Sequence, residues 1–181
     1  MGIMKKAATV ALSAAMLAGT AIAPALAATN GTIGSSSTGT STITAFVGSL
    51  VRVSAVDDLD LGSWSGSGDL TQADDVCVWT TTGGYNITAT GDGGTGSDFA
   101  LNNGTQDLAY SVKWGDSAGA ATDGLTSGSP LGGQVSGANS TDCNSGTSLT
   151  ATVEVEILGA DLSSADSGTY TGVLTLVIAP E

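Results

Sequence analysis

Few residues in this chain are equipped for covalent or metal chemistry. There is no histidine, and the only two cysteines are Cys77 and Cys143. Their spacing is not CxxC, so a thiolate metal site or a redox pair lacks its usual pattern. In an exported chain two cysteines pair, so a Cys77–Cys143 disulfide is the expected arrangement. It would close a loop of about 65 residues and contribute roughly 4 kcal/mol by the chain-entropy estimate. Serines are abundant, yet none sits in a G-x-S-x-G turn, and Lys113 is the only lysine beyond residue 6. Carboxylates are plentiful enough for a glycosidase-type pair. The two most regular, Glu154 and Glu156, alternate with apolar residues and read as the wet face of a strand. The chain is therefore read as a non-enzyme, with no catalytic residue and no cofactor.

Two binding chemistries remain to be weighed. GDGGTGSDF at 91–99 matches the opening of a calcium-binding nonapeptide. Such sites hold calcium between successive copies, and here there is one, so a glycine-rich loop is the better reading. Asp57, Asp58 and Asp60, or Asp74 and Asp75, could bind calcium weakly. Neighbours on a strand point oppositely, so these read as solvated acidic positions and no metal ligand is assigned. Trp64, Trp79 and Trp114 could form a sugar platform, although burial in a core is the simpler use for them.

The elements that would position these residues follow a secretory pattern. Lys5 and Lys6 precede an apolar run over 7–23, and Ala25-Leu26-Ala27 fits a cleavage site. Residues 1–27 are read as a Sec-type signal peptide of bacterial character. No other segment could span a bilayer as a helix, so the protein is not expected to be integral to a membrane. Beyond residue 27 the only basic residues are Arg52 and Lys113, against 17 acidic ones. Such a surface repels phosphate backbones and argues against nucleic-acid binding.

Residues 28–41 are low-complexity and read as a flexible extension. From 42 to 181 short alternating runs are split by turn-rich breaks. The runs are 76–80, 85–90, 99–101, 108–114, 149–158 and 172–178. VCVW-TTTGG-YNITAT reads as a hairpin. The softest part, 115–148, is expected to be loops with one short strand near Gly132–Ser136. A short helical turn is expected within 159–168. The fold class is all-β, a sandwich of about seven strands.

One stretch needs a partner. TSTITAFVGSLVRVS, from Thr40, alternates apolar and small polar residues, and 41–51 carry no charge. Exposed apolar edges of this kind are an aggregation hazard unless another strand covers them. Either the chain buries it in its own sheet as an ordinary first strand, or another copy does.

The residues also resemble a family. Leu59-Asp60-Leu61-Gly62 with Trp64, Val76-Cys77-Val78 followed by Gly84-Tyr85-Asn86-Ile87, Leu108-Ala109-Tyr110 with Trp114-Gly115-Asp116, and the run from Gly168 to Leu176 fall in the order of motifs seen in spore coat protein U-type secreted proteins. That family includes the subunits of archaic chaperone–usher pili. Its first-strand cysteine is absent from 51–56 here, and Ala179-Pro180-Glu181 follow the last expected strand. The resemblance implies an incomplete immunoglobulin-like sandwich whose groove accepts a neighbour's N-terminal strand. The donor would be 42–48, with Ile43, Ala45 and Val47 facing the groove and Phe46 on the other face as an alternative anchor. It further implies head-to-tail polymers of this chain, a periplasmic chaperone, an outer-membrane usher, and a place on a Gram-negative cell surface in adhesion or biofilm formation. The alternative is a monomeric secreted sandwich that binds carbohydrate or, weakly, calcium.

Overall fold

A computed structural model describes residues 28–93 and 99–181. The signal peptide assigned to 1–27 and most of the 91–99 loop lie outside them. The chain divides into a unit ending at Phe46 and a unit running from Val47 to Glu181. In the first, the described residues contain one antiparallel bridge, Thr29 with Thr40, made by two backbone hydrogen bonds of 3.0 Å.

The second unit is built from alternation. Its strands are β1 Val51–Ser54, β2 Leu70–Thr80, β3 Gly84–Thr90, β4 Ala100–Asn102, β5 Asp107–Ala109, β6 Ser111–Gly115, β7 Asp123–Gly124, β8 Pro130–Val135, β9 Ala151–Ile157 and β10 Thr175–Pro180. Two short helical turns, α1 Cys143–Gly146 and α2 Gly159–Ser164, flank β9. All ladders are antiparallel. Five strands form one sheet in the order β1-β2-β9-β6-β7, three form a second in the order β10-β3-β8, and β4-β5 is a hairpin.

Every second residue of β9 is dry: Ala151, Val153, Val155 and Ile157 are buried. Glu154 and Glu156 take the other face, where both carboxylates meet the Lys113 ammonium of β6, at 3.0 and 3.1 Å. Those two contacts push the Lys113 pKa up. The inward residues of β2, β6 and β9 pack against Tyr85 and Ile87 of β3 to make the core. Trp114 and Tyr85 meet edge to face at 6.4 Å, and the indole Nε1–H donates to the Tyr85 hydroxyl at 3.2 Å.

Burial pushes the Tyr85 pKa up from 10.0 to about 12; the Asp116 charge adds to this and the indole hydrogen bond opposes it. The folded state therefore disfavours tyrosinate. Its contribution is intact below pH 10 and is lost as pH rises through about 12. In an alkaline titration, Tyr85 ionisation, read from tyrosinate absorbance, should coincide with loss of the near-ultraviolet dichroism of Trp114.

Several expectations change. The 76–90 stretch is not a hairpin. β2 pairs with β1 and β9, whereas β3 pairs with β10 and β8, so TTTGG carries the chain between sheets. Gly83, at φ 81°, makes that corner. The alternative reading of the stretch from Thr40 as one ordinary first strand is met only at Val51–Ser54: β2 ends at Thr80, the partner of Val51, so its ladder does not extend to the residues before Val51. Ala55 then adopts φ 58° and turns the chain off the sheet. The last strand starts three residues later and ends two residues later than expected, so Ala179 and Pro180 pair with Asn86 and Tyr85 instead of trailing behind it. The soft region 115–148 does hold a strand, β8.

Candidate polymerisation site

The disulfide joins Cys77 to Cys143 with Cα atoms 5.8 Å apart. It fastens the middle of β2 to the turn before β9. That turn takes positive φ at Cys143, Asn144 and Ser145, so the chain reverses sharply where the crosslink is made.

Next to the core is a groove of about 1190 Å³. Its floor is apolar, formed by Leu108 and Tyr110 together with Val153, Val155 and Ile157 of β9. Two segments form its rims, 56–64 and 165–174, and neither belongs to a sheet. The first leaves β1 at the Ala55 turn. Side chains tether it: Asp57 N–H donates to Asp74 Oδ2 at 2.9 Å, Asp60 Oδ1 accepts from Gly62 N–H, and the Trp64 indole donates to Gly68 O at 2.8 Å. Desolvation raises the Asp74 pKa, with further increases from Asp57 and Asp75, while the Asp57 N–H opposes them.

The second rim is held in a similar way. Tyr170 OH and Asp166 N–H both donate to Gln106 Oε1, at 2.8 and 2.7 Å, and Val173 N–H donates to Asp92 Oδ1 at 2.7 Å. Thr171 makes an isolated bridge to Asn102. Side-chain hydrogen bonds hold both rims, with the Asn102–Thr171 bridge adding two backbone bonds to the second. Neither rim is part of a strand ladder, and the floor between them is apolar.

The residues assigned to a donor strand are all in the open. Ile43 is 93% exposed, Phe46 91% and Val47 75%, and Ala45 is exposed as well. The other binding readings find little geometry. Trp114 is fully buried, which removes it from any sugar platform. Among the described residues no three acidic or cysteine side chains are grouped to hold a metal ion. Asp75 is taken up by the Thr152 hydroxyl and Gly119 N–H, and Asp92 by Val173. No helix among the described residues is long and apolar enough to cross a membrane.

Neither a family model nor a curated protein matches the chain. A solved structure does. It is a chain from the work described as "Chaperone-tip adhesin complex is vital for synergistic activation of CFA/I fimbriae biogenesis", with a TM-score of 0.50 and 16% identity. The fold is an all-β, immunoglobulin-like sandwich. The match covers 72% of this chain but 41% of that one, so this chain corresponds to less than half of its neighbour.

The first rim was visible in the sequence as Leu59–Gly62 with Trp64. The second was taken for part of a strand, and Gln106, which ties it down, went unnoticed. Its only signal was a side-chain amide in an otherwise turn-like NNGTQD.

Proposed function

We propose that the protein is the structural subunit of an extracellular chaperone–usher-type pilus, polymerising by donation of strand 42–48 into the groove of the next copy. The observation that carries this reading is the presence of an apolar-floored groove and an uncharged, exposed, alternating arm on the same chain. Ile43, Ala45 and Val47 would enter the groove, and backbone groups of the arm would ladder with the rims. The contact is head-to-tail, so it propagates as an open filament. Export through Sec would deliver the chain to the periplasm, where the disulfide forms. A chaperone would cover the groove until an outer-membrane usher adds the subunit. A Ser-, Thr- and Gly-rich filament on the cell surface suits adhesion or biofilm formation. A fimbrial neighbour in fold is compatible with this role.

Electron microscopy of the purified full-length protein tests it. Filaments that resist mild detergent and shorten when a peptide of residues 41–50 is present during assembly are the expected result. A monodisperse monomer that never assembles, with or without a chaperone, would exclude the reading.

A further inference from the structure

The arm leaves the domain at an unusual fixture. Thr81, in the corner between β2 and β3, bonds to the chain on both sides of Ser49. Its hydroxyl accepts from Leu50 N–H at 2.8 Å and donates to Gly48 O at 3.0 Å, while its own N–H donates to Leu50 O at 3.0 Å. A hydroxyl can donate and accept at once, so one side chain serves both contacts. The corner is itself braced by a 2.7 Å contact between the Thr80 and Thr82 hydroxyls and by Thr82 Oγ1 donating to Gly84 O.

We propose that Thr81 is a clamp on the root of the arm, which directs Ile43, Ala45 and Val47 to a second copy and joins successive domains without a loose linker. This rests on the donor-strand reading above. The alternative to donation is self-filling. For that the arm would turn back at Gly48–Ser49 and run along β1. In the tightest such hairpin, with a two-residue turn, Leu50 N–H would donate to Val47 O. That N–H already belongs to Thr81.

Register adds a second obstacle. In such a hairpin Val47 would lie beside Leu50 and Thr42 beside Ala55. The groove rim begins only at Val56. Rim residues 56–62 would therefore face 41 back to 35, SSSTGTS in chain order, which has no apolar side chain to bury. Given to another copy, the same arm can place its apolar set on the groove floor. With the root held at Gly48, little free chain remains between a donated strand and β1, so neighbouring domains should be stiffly coupled.

The test uses the full-length chain with Thr81→Val, which keeps shape and loses the hydroxyl, and Thr81→Ser, which keeps the hydroxyl. In wild type and Thr81→Ser the Leu50 amide should be protected from hydrogen exchange, and filaments should be stiff. In Thr81→Val, Leu50 exchange should accelerate by about fivefold or more, the effect of one lost hydrogen bond. Filament persistence length, measured from micrographs, should fall at least about twofold as the root gains linker-like freedom. If wild type forms filaments and Thr81→Val matches it in both readouts, the clamp is wrong and the donor-strand reading stands. If wild type forms none, with or without a chaperone, that reading fails and the clamp proposal falls with it.

Discussion

Ile43→Asp should abolish self-assembly and leave the domain as stable as before. In the free chain Ile43 is almost fully exposed, so its replacement removes no packing. Substitutions at such positions change stability by about 0.5 kcal/mol or less. In a filled groove the same side chain would lie on an apolar floor. Losing its burial costs about 1.5–3 kcal/mol, and desolvating a carboxylate costs more still. A loss of about 4 kcal/mol corresponds to roughly a thousandfold in affinity. Val47→Asp should behave alike. Phe46→Asp separates the two faces of the arm: it should be tolerated if the odd-numbered residues face inward. Sedimentation velocity reads assembly and urea titration reads stability. Assembly that survives Ile43→Asp and Val47→Asp but fails with Phe46→Asp would reverse the register. Assembly that survives all three would remove the arm from the mechanism.

The disulfide carries the second large effect. Cys77 lies between Val76 and Val78 on β2, and all three are fully buried. The crosslink spans 66 residues. Replacing both cysteines by alanine should lower unfolding free energy by about 4 kcal/mol, the value expected for a loop of that size. Small domains are stable by about 5–15 kcal/mol, so a loss of this size is a large fraction of the total. The double variant should unfold at a much lower urea midpoint. The wild-type protein should approach it when reduced, and a groove-filling 41–50 peptide should recover part of the loss. A midpoint that does not move would mean that the core alone holds β2 to the turn at Cys143.

The fold class could be read from period-two alternation. β9 is clear from 149–158 because five apolar residues alternate with threonines and glutamates, and from Val153 to Ile157 burial follows that alternation; Thr152 is buried too, its hydroxyl bonded to Asp75. Pairing was harder to read. A turn-rich TTTGG between two apolar runs suits a hairpin and a sheet-to-sheet corner equally, since both need positive φ at glycine. What separates them is which strands compete for β2, and β9, some seventy residues away, wins. The first half of β2, Leu70–Asp75, was missed because its two aspartates obscure the alternation. They are accommodated by Asp57 N–H and by Thr152, which are distant in sequence. Of the site, the arm was legible because it is a local pattern of apolar and uncharged residues. A groove was implied only by the family resemblance, and the residues that form it were not legible, because it is defined by where strands stop. Ala55 ends β1 by adopting a backbone conformation that alanine seldom takes, and nothing in AVDD announces it.

The scarcity of basic residues has a practical side. Arg52 is in the β1 ladder opposite Trp79, and Lys113 is in β6 between two strands, its ammonium held by Glu154 and Glu156. Trypsin needs an extended, unpaired stretch at its cleavage point, and neither position offers one while the sheet is intact. Trypsin acting on the folded protein would pass over both positions, and a digest of the denatured chain would yield long fragments, 53–113 and 114–181, that peptide surveys seldom recover. Enzymes that cut beside aspartate or glutamate would make the protein visible to such surveys.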